Sequence, residues 1–416
     1  MRRSLFVVVF VLGCEPRPAP PVVERAPVVP VEAPRTDHEP LPSVITPDRN
    51  DPNLSVPDSL VADGVPPIPR TIVEAVGAYS EARSAGVFDW HPVDRALMIS
   101  TRFADTAQVH EVRAPGADRR QLTFFRDRVT ADGSSGYPAA AGRYHLYVSL
   151  ACPWAHRAII VRRLLGLDEA ISMTVVDPVR DERGWAFREG PGHGRDPVCA
   201  FEFLSEAYLR TDPAYTGRYT VPCLWDREAG RLVSNNYPDI TIDFETQFTA
   251  FHRPGAPELY PEALRGEIDA VNAVVYADVN DGVYKAGFAT SQEAYDRAVG
   301  ALFARLDWLE ERLAGRRYLV GGRLTEADVR LFTTLARFDA VYVGHFKCNV
   351  RRLVDYPNLW GYARDLFQHP AFGETVDLDH IKRHYYLTHD RLNPSRIVPA
   401  GPLVDWRAPH DRARLG

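Results

Sequence analysis

The alternation of hydrophobic and polar residues predicts a β-α-β unit in the middle of the chain. Tyr144–Ser149 (YHLYVS) alternates as a half-buried strand does. Ala155–Leu165 is apolar at helical spacing, and Gly166 is placed to end that helix. Ser172–Val179 alternates again. Because the two strands are joined by one helix, we expect a parallel pair with a right-handed crossover.

Further along the chain the pattern changes from strands to helices. Tyr219–Asp226 and Arg231–Val233 flank Arg227–Gly230, which is typical of a β-hairpin. Beyond that hairpin, long amphipathic stretches predict three helices, over Pro261–Ala277, Gln292–Ala314 and Ala327–Val341. The pattern therefore predicts a small α/β domain followed by an all-α domain.

The first residues have the pattern of a signal segment. Arg2-Arg3 precede the apolar run Leu5–Leu12, and Cys14 follows it. The end of segment 1–14 resembles a bacterial lipobox, in which Cys14 would be lipidated. The alternative is a non-native upstream extension of the reading frame.

Two further segments precede the α/β domain. Residues 15–70 are rich in proline and acidic residues, which predicts a disordered linker. In residues 71–125 we expect a helix over Thr71–Ala85 and then a small β-meander. Its predicted strands are Val87–Trp90, Ala96–Thr101, Gln108–Val112 and Gln121–Phe125. The words "FDWHPVDRALMISTRFADTAQVHEV" and "RRQLTFF" resemble the opening propeller strands of prolyl-oligopeptidase-type peptidases. The chain has no G-x-S-x-G elbow, which excludes that peptidase chemistry.

Charge and cysteine usage exclude several classes of function. The formal net charge of −6 is unfavourable for binding nucleic acid. The five cysteines include no C-x-x-C pair, so we expect neither a disulfide framework nor a zinc site, and no metal. They are Cys14, Cys152, Cys199, Cys223 and Cys348. We expect contact with a membrane only if Cys14 is lipidated.

Cys152 is the candidate nucleophile. It lies between the first strand and its helix, and Pro153 fits the first helical turn. Cys152 should therefore cap the helix, where free N–H groups and the helix dipole favour the thiolate and lower the thiol pKa. The alternative is a buried, inert cysteine. Because Ala155 stands where a resolving cysteine would be, a mixed disulfide at Cys152 would need an external thiol.

Other positions suggest structural support for such a site. We expect the Val221-Pro222 peptide bond to be cis, and the neighbouring Cys223 to belong to the core. Trp154 could stack on a ligand or simply cover the helix terminus. Thr325 and Asp328 form a capping pair that opens a helix.

Several separated words carry a family resemblance. "RYHLYVSLACPWAHR", "YTVPCLWD", "GVYKAGFA", "RFDAVYVGHFKCN" and "LNPSRIVPAGP" together resemble the glutathionyl-hydroquinone reductases, the Xi class of glutathione transferases. The resemblance covers residues 126–403. It implies a thioredoxin-like domain over 126–250 and an all-helical C-terminal domain over 251–403. It also implies a cytoplasmic homodimer that uses glutathione as co-substrate and removes glutathione from hydroquinone conjugates.

The resemblance also implies roles for individual residues. Cys152 would attack the sulfur of the conjugate. Trp154, Arg157 and Val221, with Pro222, would contact the glutathione. Tyr284 and Tyr342 would lie over the quinone pocket and hydrogen-bond its oxygens as catalytic residues. The alternative for each is a core tyrosine whose hydroxyl bonds the backbone.

One departure from the family pattern concerns the glutathione site. The family usually shows Asn-Glu-Ser-Ser-Glu after the second hairpin strand, and its Glu-Ser pair holds the γ-glutamyl end. Here Asn236 and Tyr237 replace that pair. The carboxylate for the ligand's ammonium is then absent unless Asp239 or Asp243 substitutes. Glutathione is the expected thiol, and another low-molecular-weight thiol is the alternative.

Two other functions are compatible with the same fold. One is a general monothiol transferase or dehydroascorbate reductase that also uses Cys152. The other is a non-catalytic scaffold anchored to a membrane through Cys14. Because the reaction consumes reduced thiol, we expect a cytoplasmic location, with an exported lipoprotein as the alternative.

Overall fold

The computed structural model describes residues 125–416 in full and, before them, the backbone of four short strands. The signal-like segment 1–14, the linker 15–70 and the predicted helix Thr71–Ala85 lie outside the described residues, except that Ala85 begins a strand.

The four early strands form an antiparallel meander. They are β1 (Ala85–Trp90), β2 (Leu97–Thr101), β3 (Gln108–Val112) and β4 (Arg120–Gln121), and they are neighbours in chain order. The predicted meander is confirmed, and residues 122–124 of its predicted last strand lie outside the described residues. The resemblance of this segment to a peptidase propeller stays a prediction.

A second four-stranded sheet contains the β-α-β unit. Its strands are β5 (Tyr144–Val148), β6 (Ile171–Val175), β7 (Cys223–Asp226) and β8 (Arg231–Ser234), in the spatial order β6-β5-β7-β8. Helix α1 (Pro153–Leu165) joins β5 to its parallel neighbour β6. β7 pairs antiparallel with both β5 and β8. The predicted parallel pair and hairpin are confirmed.

Two predicted strands are shorter in the structure, and each has a local reason. β6 ends at Val175, after which the Asp177 N–H bonds the Ala186 carbonyl in a loop. β7 begins only at Cys223 because the Val221-Pro222 peptide bond is cis and proline has no N–H to donate. The expected cis bond is confirmed.

The rest of the described chain is helical. Helices α2 and α3 flank the sheet, and α4 to α10 form the second domain. Their bounds are α2 (Leu204–Thr211), α3 (Tyr237–Thr246), α4 (Arg265–Val275), α5 (Gly282–Gly287), α6 (Gln292–Leu313), α7 (Glu326–Arg337), α8 (Pro357–Gln368), α9 (Pro370–Gly373) and α10 (Leu378–Thr388). Single turns of π-helix, Tyr276–Asn280 and Phe338–Tyr342, extend α4 and α7. Short 3₁₀ turns lie at Thr249–Phe251, Glu262–Leu264, Leu353–Asp355 and Arg412–Leu415. The predicted fold class, a thioredoxin-like α/β domain followed by an all-α domain, is confirmed.

Helix α1 lies between the two domains. It packs against α3 on one side and against α7 on the other. Its residues are buried on almost every face, which explains the continuous apolar run Ile159–Val161. Gly166 ends the helix in the left-handed conformation, with φ of 71°, as expected for a glycine cap. The start of α1 is thereby fixed at the boundary between sheet and helical domain.

The end of the chain packs on the helical domain. Trp406 is buried against Trp360, with ring centroids 4.8 Å apart, and the buried Arg412 donates to the Leu313 carbonyl. Among the described residues, every helix is too short or too polar to cross a membrane.

Candidate active site

The backbone places Cys152 at the first turn of α1, facing the loop before β7. Cys152 is the residue before the helix, with extended φ and ψ of −79° and 120°, and Pro153 occupies the first helical position. Cys152 as a whole is partly exposed, and its Sγ lies 3.5 Å from the Val221 carbonyl oxygen, to which the thiol donates. The predicted position of Cys152 at the helix N-terminus is confirmed.

The net effect on the Cys152 pKa is opposite to the sequence prediction. Burial is the largest influence and raises the pKa of the Cys152 thiol above its ordinary value. The N–H groups of Ala155 and Trp154, and then the charges of Arg337 and Arg157, lower it without reversing the direction. The expected help from the helix terminus is present, but desolvation outweighs it. The prediction of a lowered pKa was therefore wrong.

The remaining described cysteines differ from Cys152. Cys223 and Cys348 are buried, and burial raises the pKa of both thiols. Cys223 is therefore a core residue, as expected. Cys199 is partly exposed but does not line the cavity beside Cys152. In the described part of the chain, no cluster of three or more His, Cys, Asp or Glu side chains has the arrangement of a metal site.

A cavity of about 560 Å³ opens at Cys152 between the two domains. One wall comes from the start of α1 and the loop before β7, and the other from the helical domain. The lining residues are Cys152, Pro153, Trp154, Arg180, Trp185, Arg218, Tyr219, Thr220, Val221, Asn235, Tyr237, Tyr276, Asp281, Tyr284, Phe288, His384, Tyr385 and His389. Aromatic rings make up much of this surface, which suits a planar aromatic ligand.

Three tyrosine hydroxyls meet at the helical wall of the cavity. Tyr284 and Tyr385 line it, and their hydroxyls hydrogen-bond each other. Tyr342 is fully buried behind them, and its hydroxyl lies 3.1 Å from that of Tyr385. Burial raises the pKa of all three phenols, so they are protonated at neutral pH and able to donate.

The expected position of Tyr342 over the pocket was wrong, because Tyr342 does not line the cavity. Tyr385, which the sequence analysis missed, lies there instead. Only the return of α10 to the cavity brings this residue, 233 positions after Cys152 in the numbering, into the site. The aromatic run His384-Tyr385-Tyr386 on an amphipathic helix was the available signal.

The residues expected at glutathione divide into two groups. Trp154, Val221 and Tyr237 line the cavity, whereas Arg157, Pro222 and Asn236 do not. The buried guanidinium of Arg157 lies behind the rings of Trp154 and Tyr237, 4.7 and 5.0 Å from their centroids.

Arg157 therefore supports the cavity wall through cation–π contacts and through a 2.9 Å hydrogen bond to the Asn280 side chain. Asn236 caps α3, and its side chain bonds that of Asp239. This arrangement does not favour direct contact between the ligand and Arg157, Pro222 or Asn236.

Several further cavity residues were not predicted from the sequence. Arg180 and Arg218 place two positive charges on the wall, and Arg180 lies over the Trp185 ring at 5.5 Å. Trp185 in turn stacks on His384, with ring centroids 4.9 Å apart. Burial and the nearby charge of Arg180 lower the pKa of His384 to about 3, so this imidazole is neutral. Among the described residues, Arg180 and Arg218 are thus the positively charged side chains that line the cavity.

Two family descriptions match this chain. "Glutathione S-transferase, N-terminal domain" matches residues 151–247, and "Glutathione S-transferase, C-terminal domain" matches residues 292–365. The first range contains Cys152 and the cis-proline loop, and the second contains α6 and α7.

Two relatives are similar to this chain over most of its length. The glutathionyl-hydroquinone reductase YqjG of Escherichia coli is 50% identical over 304 residues, which are 71% of this chain and 92% of the relative. The glutathionyl-hydroquinone reductase PcpF of Sphingobium chlorophenolicum is 49% identical over 269 residues, 64% of this chain and 85% of the relative.

Solved structures agree with this assignment. The glutathione-bound structure of YqjG from Escherichia coli is 50% identical and has a TM-score of 0.68, covering 70% of this chain and 96% of its own. The glutathione S-transferase Xi of Phanerochaete chrysosporium is 47% identical with a TM-score of 0.66, covering 69% and 98%. The chain therefore belongs to the glutathione transferase family, among the Xi-class enzymes related to the glutathionyl-hydroquinone reductases.

Proposed function

We propose that this protein is a glutathione-dependent enzyme that reduces glutathionyl-hydroquinones to hydroquinones. The observation that carries the proposal is a single cysteine, Cys152, in the wall of a cavity that is otherwise lined largely by aromatic residues, tyrosines among them. A thiolate can attack the sulfur of the conjugate, and a cavity wall made of aromatic side chains can hold the hydroquinone ring. Relatives that bear this name are about half identical to the chain.

In the first step, the Cys152 thiolate attacks the sulfur that joins glutathione to the aromatic ring. A sulfur–sulfur bond forms and the carbon–sulfur bond breaks, with its electron pair going to the ring carbon. That carbon then accepts a proton, so the aryl thioether is reduced to an aryl C–H group. Cys152 is oxidised to a mixed disulfide with glutathione.

In the second step, the thiolate of another glutathione attacks the glutathione sulfur of the mixed disulfide. Glutathione disulfide leaves, and Cys152 returns as a thiolate. An external thiol is required because Ala155 stands at the position of a resolving cysteine and the other described cysteines do not line the cavity.

Tyr284 and Tyr385 are our candidates for handling the hydroquinone. Both residues line the cavity and their hydroxyls are protonated, so they could hydrogen-bond the ring oxygens and supply the proton that the ring carbon takes. Trp154 and Val221 are the candidates for contacting glutathione. Tyr342 acts through Tyr385 and is a positioning residue in this proposal.

The direct test follows release of free hydroquinone from a glutathionyl-hydroquinone with excess glutathione. Cys152→Ala should abolish turnover, by at least about a thousandfold, because the nucleophile is lost. Cys199→Ala, at a partly exposed thiol outside the cavity, is the matched control and should retain full activity. Turnover that survives Cys152→Ala would contradict the proposal.

A general thiol transferase would use the same cysteine on disulfides or on dehydroascorbate. The aromatic, tyrosine-rich wall favours an aromatic substrate over those alternatives. If the protein reduced a disulfide substrate faster than it cleaved the aryl thioether, the general transferase would be the better assignment.

Assembly and location belong to the same proposal. We propose a homodimer, which sedimentation equilibrium of the full chain would reveal as twice the chain mass.

We also propose a cytoplasmic location because the second step consumes reduced glutathione. Mass spectrometry of the mature N-terminus tests this, since a diacylglyceryl group on Cys14 would instead indicate an exported lipoprotein.

A further inference from the structure

We propose that the carboxylate of Asp281 binds the ammonium group at the γ-glutamyl end of glutathione. This inference rests on the proposed use of glutathione and concerns the same cavity. It assigns a partner to the ligand's ammonium group, since Asn236 and Tyr237, which stand in place of the family's Glu-Ser pair, carry no carboxylate. An alkylammonium group placed in a cavity needs a compensating acid or strong acceptors.

The two carboxylates expected from the sequence to fill this role are engaged elsewhere. Asp243 is buried and accepts hydrogen bonds from the Arg128 side chain and from the Val129 N–H. Asp239 accepts from Asn236 and lies 3.5 Å from the Arg128 guanidinium. Neither residue lines the cavity. Through their contacts with Arg128 and Val129, the two carboxylates fix the segment before β5 to α3.

Asp281 is the single acidic residue among those that line the cavity in the described part of the chain. It lies at the turn between the π-helical end of α4 and the start of α5, where its backbone carbonyl accepts from the Tyr284 N–H. Its side chain is 19% exposed and lies 3.4 Å from the Lys285 Nζ. That lysine is 40% exposed and also donates to the Ala277 carbonyl at 2.7 Å, so its charge is shared and solvated.

The rings around Asp281 favour a cation as well. The residues at either side of the turn, Tyr276 and Tyr284, both have rings against Trp154, with centroids 5.7 and 6.0 Å from it. The faces of such rings attract ammonium groups. Trp154 itself belongs to the helix turn that starts at Cys152. A glutathione whose sulfur lies at Cys152 would therefore extend its γ-glutamyl arm past Trp154 towards Asp281.

The charges of the whole cavity match glutathione in number and sign. Arg180 and Arg218 line it, and Asp281 is the acid. Glutathione at neutral pH carries two carboxylates and one ammonium group. Two cations and one anion on the wall are the complement of that set. Arg157, a third cation nearby, is buried behind the rings and does not line the cavity.

The test measures binding, so that it is separate from turnover. Calorimetry compares glutathione with its deamino analogue, which lacks only the ammonium group, in the full-length protein. We expect glutathione to bind about tenfold more tightly than the analogue. Asp281→Asn should remove this difference by weakening glutathione alone, and Asp281→Glu should restore part of it.

Asp278→Asn is the matched control. Asp278 precedes the same turn and carries the same charge, but it pairs with Arg305 outside the cavity. This variant should keep the preference for glutathione. Equal binding of the two thiols by the unchanged protein, or equal weakening of both in Asp281→Asn, would overturn the assignment. Loss of hydroquinone release with the preference intact would instead count against the proposed reaction only.

Discussion

At the scale of single residues, the reactivity of Cys152 depends on how much of its thiol is ionised. Burial raises the pKa of Cys152, and the surrounding N–H groups and arginines only partly offset that effect. The thiol form, which donates to the Val221 carbonyl, therefore predominates at neutral pH. The thiolate is the nucleophile, so its supply limits the first step.

This ionisation predicts a steep pH dependence. Since the pKa lies above the ordinary value, the thiolate fraction should still rise about tenfold per pH unit from about pH 6 to about pH 8. The rate of alkylation by iodoacetamide, followed at the Cys152 peptide in a Cys199→Ser background, measures it. A rate that is flat across this range would show that the thiol is already ionised.

The phenol cluster makes a second prediction at this scale. Tyr385→Phe removes the hydroxyl of a residue that lines the cavity, and the rate of hydroquinone release should fall by about a hundredfold. Tyr342→Phe removes a hydroxyl one shell behind, and the fall should be less than about tenfold. Steady-state kinetics on both variants shows which substitution lowers the rate of hydroquinone release more. Equal losses would mean that Tyr342, as the sequence suggested, takes part directly.

The sequence could predict Cys152 and its cis-proline loop because both are encoded by neighbouring residues with special backbone chemistry. It could not predict Tyr385, Arg180 or Asp281, since these reach the cavity only through the packing of distant loops and helices. The sign of the Cys152 pKa shift was missed for a related reason. Helix position is local, whereas desolvation depends on everything that packs around the sulfur.

At the scale of elements, the start of α7 depends on one buried carboxylate. Asp328 accepts hydrogen bonds from the N–H groups of Leu319 and Thr325 and from the Tyr362 hydroxyl. The Thr325 hydroxyl also donates to it at 3.1 Å. The predicted capping pair is thus part of a larger junction that fixes α7 to the loop before it.

Removing this carboxylate should destabilise the fold. Asp328→Ala leaves several buried donors unpaired, and the free energy of unfolding should fall by about 3 kcal/mol in urea titrations. Asp379→Ala, at an exposed acid near the start of α10, is the control and should change it by less than about 0.5 kcal/mol.

The penalty should also vary with pH in a defined direction. Burial raises the pKa of Asp328 to about 6, above its ordinary value. The contribution of the protonated group to stability is therefore complete below the ordinary pKa and is lost as the pH rises through about 6. Asp328→Ala should consequently cost more at about pH 4 than at about pH 8. A penalty that grows with pH would contradict the raised pKa.

Hydrophobic periodicity predicted which segments are helices and which are strands, but it did not by itself predict where they begin and end. Helices α6 and α7 begin within one residue of the predicted positions because polar caps mark them. The π-helical turns Tyr276–Asn280 and Phe338–Tyr342 were not predicted, since five residues are too few for a change of period to be read from the apolar spacing. The first of these turns ends just before Asp281, and both Tyr276 and Asp281 line the cavity.

At the scale of the whole molecule, Arg337 joins the helical domain to the active-site loop. Its buried guanidinium donates to the carbonyls of Leu150 and Ala151, just before Cys152, and to Thr333 within its own helix. It also donates to the Nδ1 atom of His156, whose pKa burial and this charge hold low. One side chain therefore links domain packing to the position and charge of the thiol.

Arg337→Met should affect stability and chemistry together. Four acceptors lose their donor, so the free energy of unfolding should fall by about 3 kcal/mol. The Cys152 pKa should rise further, because a nearby positive charge is lost. Urea titration and the alkylation profile measure the two effects. Arg163→Met, which breaks an exposed interdomain pair with Glu374, should alter neither appreciably.

The contact between the Cys152 sulfur and the Val221 carbonyl has one more consequence. A sulfur that has lost its hydrogen, through ionisation or bonding to another sulfur, can no longer donate to that oxygen. The stretching frequency of the Val221 carbonyl should then move upward each time the cysteine is consumed. A carbon-13 label at this one peptide group would let infrared spectroscopy follow the occupancy of the cysteine during turnover, without a dye or a substrate chromophore.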